Sequence, residues 1–348
     1  MSLLTETLGL IAPPDAGAEA MARARLDSLT KPRGSLGRLE ELAVLLAGIT
    51  GRPAPTFDHR AVIVMAADHG VTAQGVSAYP REVTAQMLAN FVAGGAAINV
   101  LARRAGARVI VVDIGVDCEP VPGVLDRKVA RGTRDMTAGP AMQRPEAERA
   151  IDVGIELVRE EHDRGLDLVA TGDMGIGNTT AASAITAVLT GSPVRAVTGR
   201  GTGIGDATLE RKIALIDRAI ATNQPEPADP VDVLAKVGGY EIAGLVGVIL
   251  SACALRLPIV LDGFASGAAA LVASRLHRYV PRYLIPAHRS AEPGHTSLLD
   301  SLGLRPLLEL DLRLGEGTGA ALAMPLIDAA VAVVRDMATF ESAGVSRS

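Results

Sequence analysis

The chain has no tryptophan and only four tyrosines and four phenylalanines in 348 residues, so it lacks the aromatic platforms on which proteins stack single-stranded bases or sugars. A flat ligand must be gripped mainly by aliphatic side chains. Cysteine is equally scarce: Cys118 and Cys253 stand far apart, which excludes a disulfide framework and fits a reducing compartment. Basic charge shows no excess. The 34 Lys and Arg face 39 Asp and Glu, a net charge of −5 without blocks of one sign, so the footprint of a nucleic-acid binder is missing. Long apolar runs are absent too. Stretches such as residues 243–255 stop short of the roughly 18 residues that read as a membrane span. Glu6 and Asp15 stand where a secretory signal would be basic. These absences predict a cytoplasmic protein with neither membrane nor nucleic-acid partner.

What is present is apolar bulk, 48% hydrophobic against 21% charged residues, enough for a large core. Six segments share one order: a short β-branched run, a polar glycine-containing loop, then a helical pattern. They are Ala61–Ala66, Arg108–Val112, Leu166–Ala170, Val194–Thr198, Leu257–Leu261 and Arg282–Pro286. Helical patterns cover 82–104, 145–164, 178–190, 207–221, 230–237, 240–255 and 265–278. The alternation predicts an α/β fold: a doubly wound, mainly parallel six-stranded sheet with helices on both faces. Amphipathic patterns at 15–29 and 35–48 and an Ala-rich one at 318–338 predict a small helical domain built from both chain ends. The expected division is 1–50, 51–317 and 318–348.

In such sheets ligands sit at the carboxyl ends of the strands, where the unusual residues cluster. Thr171–Thr180, TGDMGIGNTT, follows a strand and opens a helix near Asn178. Amides of Gly175, Gly177 and the first turn, with the helix dipole, suit a phosphate, and Asn178 and Thr179 can cap or donate. No Gly-x-x-x-x-Gly-Lys-Ser/Thr occurs, which removes the best support for ATP hydrolysis. A second cluster, GRGTGIG at 199–205, reads equally as a ligand loop with Thr202 or as a flexible turn. Glu316, between Gly315 and Gly317, reads equally as a base and as an acid complementing a helix start. Asp68 and His69 fit loop-holding better than a catalytic dyad. His288 and His295 match no zinc spacing, so no metal is expected. The single Asp113 after the Val109–Val112 run lacks the paired acids of a pyrophosphate-dependent phosphoribosyltransferase.

Six ordered motifs, KPRGSLGRLE (31–40), AADHGV (66–71), TGDMGIGNTT, LDGF (261–264), AHRSAEPGH (287–295) and LRLGEGTGAALAMPL, together resemble the nicotinate-nucleotide:dimethylbenzimidazole phosphoribosyltransferases of cobalamin biosynthesis. The resemblance implies transfer of phosphoribose from nicotinate mononucleotide to 5,6-dimethylbenzimidazole with inversion, without a cofactor, by a homodimer. It places the general base at Glu316. It implies an acceptor pocket from Tyr79, Pro80, Met87, Asp173, Met174 and Leu314, and a phosphate, ribose and nicotinate side from Gly175, Gly177, Asn178, Thr179, Gly201, Thr202, Lys212, Asp262, Gly263 and Ser290. Many family members have Glu where this chain has Asp173, one methylene shorter, so adenine or other benzimidazoles stay open as acceptors. A non-catalytic sensor of ribose phosphates is the competing class.

Overall fold

The structure, a computed structural model, describes residues 2–346; residues 1, 347 and 348 of the expected terminal units lie outside it. Strands β1 (Arg60–Ala67), β2 (Arg108–Gly115), β3 (Leu125–Asp126), β4 (Leu168–Met174), β5 (Ile259–Leu261) and β6 (Leu284–Pro286) form one sheet, all parallel, in the order β3-β2-β1-β4-β5-β6. A two-stranded parallel ladder, β7 (His288–Arg289) with β8 (Leu308–Glu309), follows it. The helices are α1 (Leu3–Leu10), α2 (Ala16–Ser28), α3 (Arg38–Thr50), α4 (Val83–Ala93), α5 (Ala97–Arg104), α6 (Arg144–Asp163) and α7 (Asn178–Thr190). They continue as α8 (Val194–Val197), α9 (Asp206–Asn223), α10 (Pro230–Val237), α11 (Tyr240–Ala254), α12 (Phe264–Leu276), α13 (Pro293–Leu302) and α14 (Thr318–Asp336).

β1 reads RAVIVMAA because a central parallel strand is buried on both faces and needs apolar side chains at every position. Ile63 and Met65 point into one core with residues of α6, α11 and α12. Val62 and Val64 point into the other, with residues of α2, α3, α4, α5 and α14. The helices of both chain ends therefore share a core with the sheet. By length and composition alone, Val83–Arg104 and Thr318–Asp336 reach the measure of a membrane span, which the count of uninterrupted apolar residues missed. The first is broken at Gly94 and Gly95; the second buries Ala320, Ala323, Met324 and Ile327 in the core of the sheet's face.

Six strands were expected and six form, but not the same six. The Val194–Thr198 run is a helical turn: it starts after Pro193, and Thr198 Oγ1 donates to Val194 O at 2.7 Å. Its place is taken by β3, whose two residues are exposed and so carry no hydrophobic pattern to read. The expected helix over 82–104 is two helices, because Gly94 adopts φ 76° and ends α4. That break gives α5 an N-terminus of its own. The strand expected over 282–286 begins only at Leu284, after a short 3-10 turn. Helices α1 and α13 were not anticipated.

Candidate active site

The strand order reverses between β1 and β4, and a parallel sheet opens a crevice beyond the carboxyl ends at such a point. There lies a cleft of about 480 Å³. Its floor is the end of β4 and the turn into α7, from Asp173 to Thr179; one wall is Val76, Ser77, Tyr79, Val83 and Met87. The opposite wall is Gly201 and Thr202 with Arg313, Leu314 and Glu316. The walls meet where Thr202 Oγ1 accepts from Ala78 N at 2.9 Å. Tyr79 and Leu314 are 56% and 58% exposed. Two large apolar side chains left open at one mouth make a slot for a flat apolar ring.

Glu316 stands at φ 63°, between Gly315 at 89° and Gly317 at 90°. Three consecutive left-handed residues fold the segment back onto β4, where Glu316 N donates to Asp173 O at 3.1 Å. The contact needs a glycine at 172, whose Cβ would otherwise sit 2.6 Å from Glu316 O. The carboxylate is buried, and Oε2 accepts from Ile98 N at 3.1 Å, in the first turn of α5. Burial raises its pKa, the Ile98 amide works against this, and the Asp262 charge adds to it. A carboxylate held this way is a stronger base than a solvated one, and its other oxygen is not taken by the protein.

Asp173 also lines the cleft, with Asn178 Nδ2 donating to its Oδ2 at 2.8 Å. Burial, and next the Asp262 charge, push its pKa up to about 8. It is therefore a neutral acid at pH 7, able to donate. At the start of α7 the amides do not all face outward as the sequence suggests: Ile176 N donates to Thr84 Oγ1, and Asn178 N and Thr180 N turn back to the carbonyls of Gly175 and Gly177.

Of the anticipated residues, Tyr79, Met87, Asp173, Met174, Leu314, Glu316, Gly175, Gly177, Asn178, Thr179, Gly201 and Thr202 line this cleft. Gly263 and Ser290 line a small recess beside it that shares Asp173, Asn178 and Thr179. Three line neither. Pro80 is exposed next to Tyr79. Lys212 is fully buried behind the wall, donating to Thr179 Oγ1 at 2.9 Å and Gly199 O at 3.2 Å, with burial lowering its pKa to about 8. Asp262, expected on the sugar-phosphate side, is instead fully buried and accepts from Gly317 N at 3.0 Å, Gly319 N at 2.7 Å and Ala320 N at 3.2 Å. Its carboxylate closes the N-terminus of α14, because buried amides need an acceptor.

Arg313 was missed, although it stands in the same motif as Glu316; its Nη1 donates to Gly201 O at 2.9 Å, and it lines the cleft as its cation. Asp68 and His69 do hold loops: Asp68 Oδ2 accepts from Asp117 N at 2.8 Å, and His69 Nε2 lies 2.6 Å from Glu241 Oε1 in full burial. Burial opposes charge on His69, yet the Glu241 carboxylate keeps its pKa above the ordinary value.

The phosphoribosyltransferase family profile matches residues 11–345. A nicotinate-nucleotide--dimethylbenzimidazole phosphoribosyltransferase of Chloroflexus aggregans is 61% identical, covering 99% of both chains, and one of Geobacter sulfurreducens 58% identical with the same coverage. A crystal structure of the enzyme of that name from Thermus thermophilus superposes with a TM-score of 0.91 at 50% identity, over 96% of this chain and 100% of that one. On the match of sequence, fold and coverage, the chain belongs to the nicotinate-nucleotide–dimethylbenzimidazole phosphoribosyltransferase family.

Proposed function

We propose that the protein moves the phosphoribosyl group of nicotinate mononucleotide to dimethylbenzimidazole, giving nicotinate and α-ribazole 5'-phosphate for the nucleotide loop of cobalamin. The observation that carries this is a buried carboxyl of raised pKa in the same cleft as an apolar slot and a glycine-rich helix start. The acceptor ring lies between Tyr79, Met87 and Leu314; the donor sugar and phosphate lie toward Gly175–Thr179, Gly201, Thr202 and Arg313.

One base suffices. The bond between the anomeric carbon and the pyridinium nitrogen breaks, and its electron pair stays on nitrogen, so nicotinate leaves with a neutral ring nitrogen and needs no general acid. The acceptor nitrogen forms its bond from the opposite face, inverting the carbon. As that bond forms, the proton on the acceptor's other nitrogen becomes acidic and passes to Glu316. The neutral Asp173 carboxyl and its Asn178 partner hold polar contacts beside the reacting centre. Lys212, bonded to Thr179 and Gly199, ties the two glycine loops together from behind.

Because nicotinate leaves with a neutral ring nitrogen, the step calls for no Lewis acid, and a chelator is expected to leave turnover unchanged. A cytoplasmic homodimer belongs to the same reading. So does a helical unit of residues 1–50 and 318–348, supported by the Leu29–Thr339 bridge and by Arg25 donating to Val334 O and Met337 O at 3.0 and 2.7 Å. The test is to mix the protein with nicotinate mononucleotide and a panel of benzimidazoles and adenine and identify products by mass. A ribazole phosphate is expected; no transfer to any base refutes the assignment.

A further inference from the structure

The two walls of the cleft are tied to the fold unequally. The glycine loop at 199–205 is fastened on several sides: Gly201 N donates to Glu292 Oε1 at 2.8 Å, Gly201 O accepts from Arg313 Nη1 at 2.9 Å, and Gly199 O accepts from Lys212 Nζ at 3.2 Å. The facing loop is fastened only near its ends. Val76 is buried in the core with residues of α6 and α11 at one end. At the other, Thr84 Oγ1 accepts from Ile176 N at 3.2 Å and Arg81 Nη2 donates to Asp117 Oδ2 at 2.9 Å. Among the described residues, no backbone-to-backbone hydrogen bond reaches 76–79. Hydroxyls hold this tip instead. Thr202 Oγ1 accepts from Ala78 N at 2.9 Å and lies 3.0 Å from Ser77 Oγ, which accepts from Tyr79 N at 3.2 Å. The position of Tyr79, the exposed ring of the apolar slot, is thus set through one threonine on the opposite wall. That threonine stands between two left-handed glycines, Gly201 at φ 50° and Gly203 at φ 98°.

We propose that Thr202 is a positioning residue that couples the two substrates: its hydroxyl carries order from the donor side of the cleft to the tip bearing Tyr79, so that a bound donor tightens the grip on the acceptor ring. The proposal rests on the transferase reading and deepens it. A donor seated against the glycine loop and Arg313 restricts Gly201 and Gly203, the positions where the backbone is freest to swing. The clasp to Ser77 and Ala78 then forms with less loss of conformational freedom, and the tip closes on a ring that it otherwise holds loosely. Such coupling is reciprocal, so the ring tightens the donor by the same factor.

The test uses 5,6-dimethylindole, the acceptor's ring system without the nitrogen that attacks, so that both sites fill and no transfer occurs. Its dissociation constant is measured by calorimetry with the protein alone and with the protein saturated in nicotinate mononucleotide. In the wild type the donor is expected to tighten the ring about 5- to 10-fold, the range of one or two hydrogen bonds. Thr202→Val, which keeps the shape and removes the oxygen, should bring that ratio close to one, and Thr202→Ser, which restores the oxygen, should restore it. Ser77→Ala leaves the glycine loop intact and should lower the ratio as well; it decides the matter where Thr202→Val takes up no donor. A ratio near one in the wild type overturns the proposal. So does a Thr202→Val variant that weakens the ring equally with and without donor, as a merely structural threonine would. If the wild type makes no ribazole phosphate from dimethylbenzimidazole, it is the transferase reading that fails.

Discussion

Helices α7 and α14 both start directly after a glycine in the left-handed region, Gly177 at φ 95° and Gly317 at φ 90°, and both leave first-turn amides without a side-chain cap from that position. Their surroundings differ. At α14 the Asp262 carboxylate reaches across from the end of β5 and accepts from three amides. At α7, among the described residues, no carboxylate accepts from the first-turn amides, and the turn forms the floor of the cleft. A helix N-terminus is an anion site only while nothing in the protein fills it. One start is closed by the chain's own acid and fixes the Glu316 turn; the other forms the cleft floor with no carboxylate on it, and the proposed function gives it to the substrate.

The largest effect should come from reopening the closed start. Asp262→Ala leaves three buried amides without an acceptor and is expected to destabilise the fold by about 3–5 kcal/mol, read as a fall in the denaturation midpoint. A loss below about 1 kcal/mol would erase the contrast between the helices. The next effect comes from narrowing the open start. Gly177→Ala forces a side chain into the left-handed region with its Cβ 2.8 Å from Thr72 Cγ2. It should cost about 1–2 kcal/mol of stability. Steady-state kinetics should show KM for the donor rising more than kcat falls.

The smallest effect is electrostatic. Asp173 keeps its proton in the fold up to about pH 8 but loses it near 3.8 in the unfolded chain. The native state binds more protons between those values, so this group's contribution is full below the lower value and declines as pH rises to the upper one. Asp173→Asn removes that decline. Across pH 5 to 9 the variant should gain on the wild type with rising pH, then run parallel to it; a constant difference would place a charged Asp173 in the cleft.

Much of this was legible in the sequence, because β1, β2, β4 and β5 are buried β-branched runs followed by glycines and acids. The glycine turns stood out because few residues tolerate left-handed backbone; Glu316 read equally as a base and as a helix-start acid, and the resemblance added both its role and the reaction. The missing parts have local causes. The break at Gly94 and Gly95 that creates the α5 N-terminus under Glu316 lies within an apolar pattern that continues on either side. Strand β3 is two exposed residues, and the run at 194–198 is diverted by Pro193. The sequence could not separate Asp262 from Asp173, since both are acids at strand ends; only the tertiary fold shows that three amides converge on one and not the other. Lys212, given to the phosphate side by the resemblance, is fully buried, because its ammonium is held by Thr179 at the start of α7 and by Gly199 in the glycine loop, both distant in sequence.

The central claim is that one carboxylate, seated on the first turn of α5, removes the acceptor's proton. Its most direct test is Glu316→Gln, with kcat for transfer to dimethylbenzimidazole measured beside equilibrium binding of nicotinate mononucleotide. The account predicts a kcat lowered about 100-fold or more with donor affinity unchanged; a kcat close to that of the wild type would contradict it.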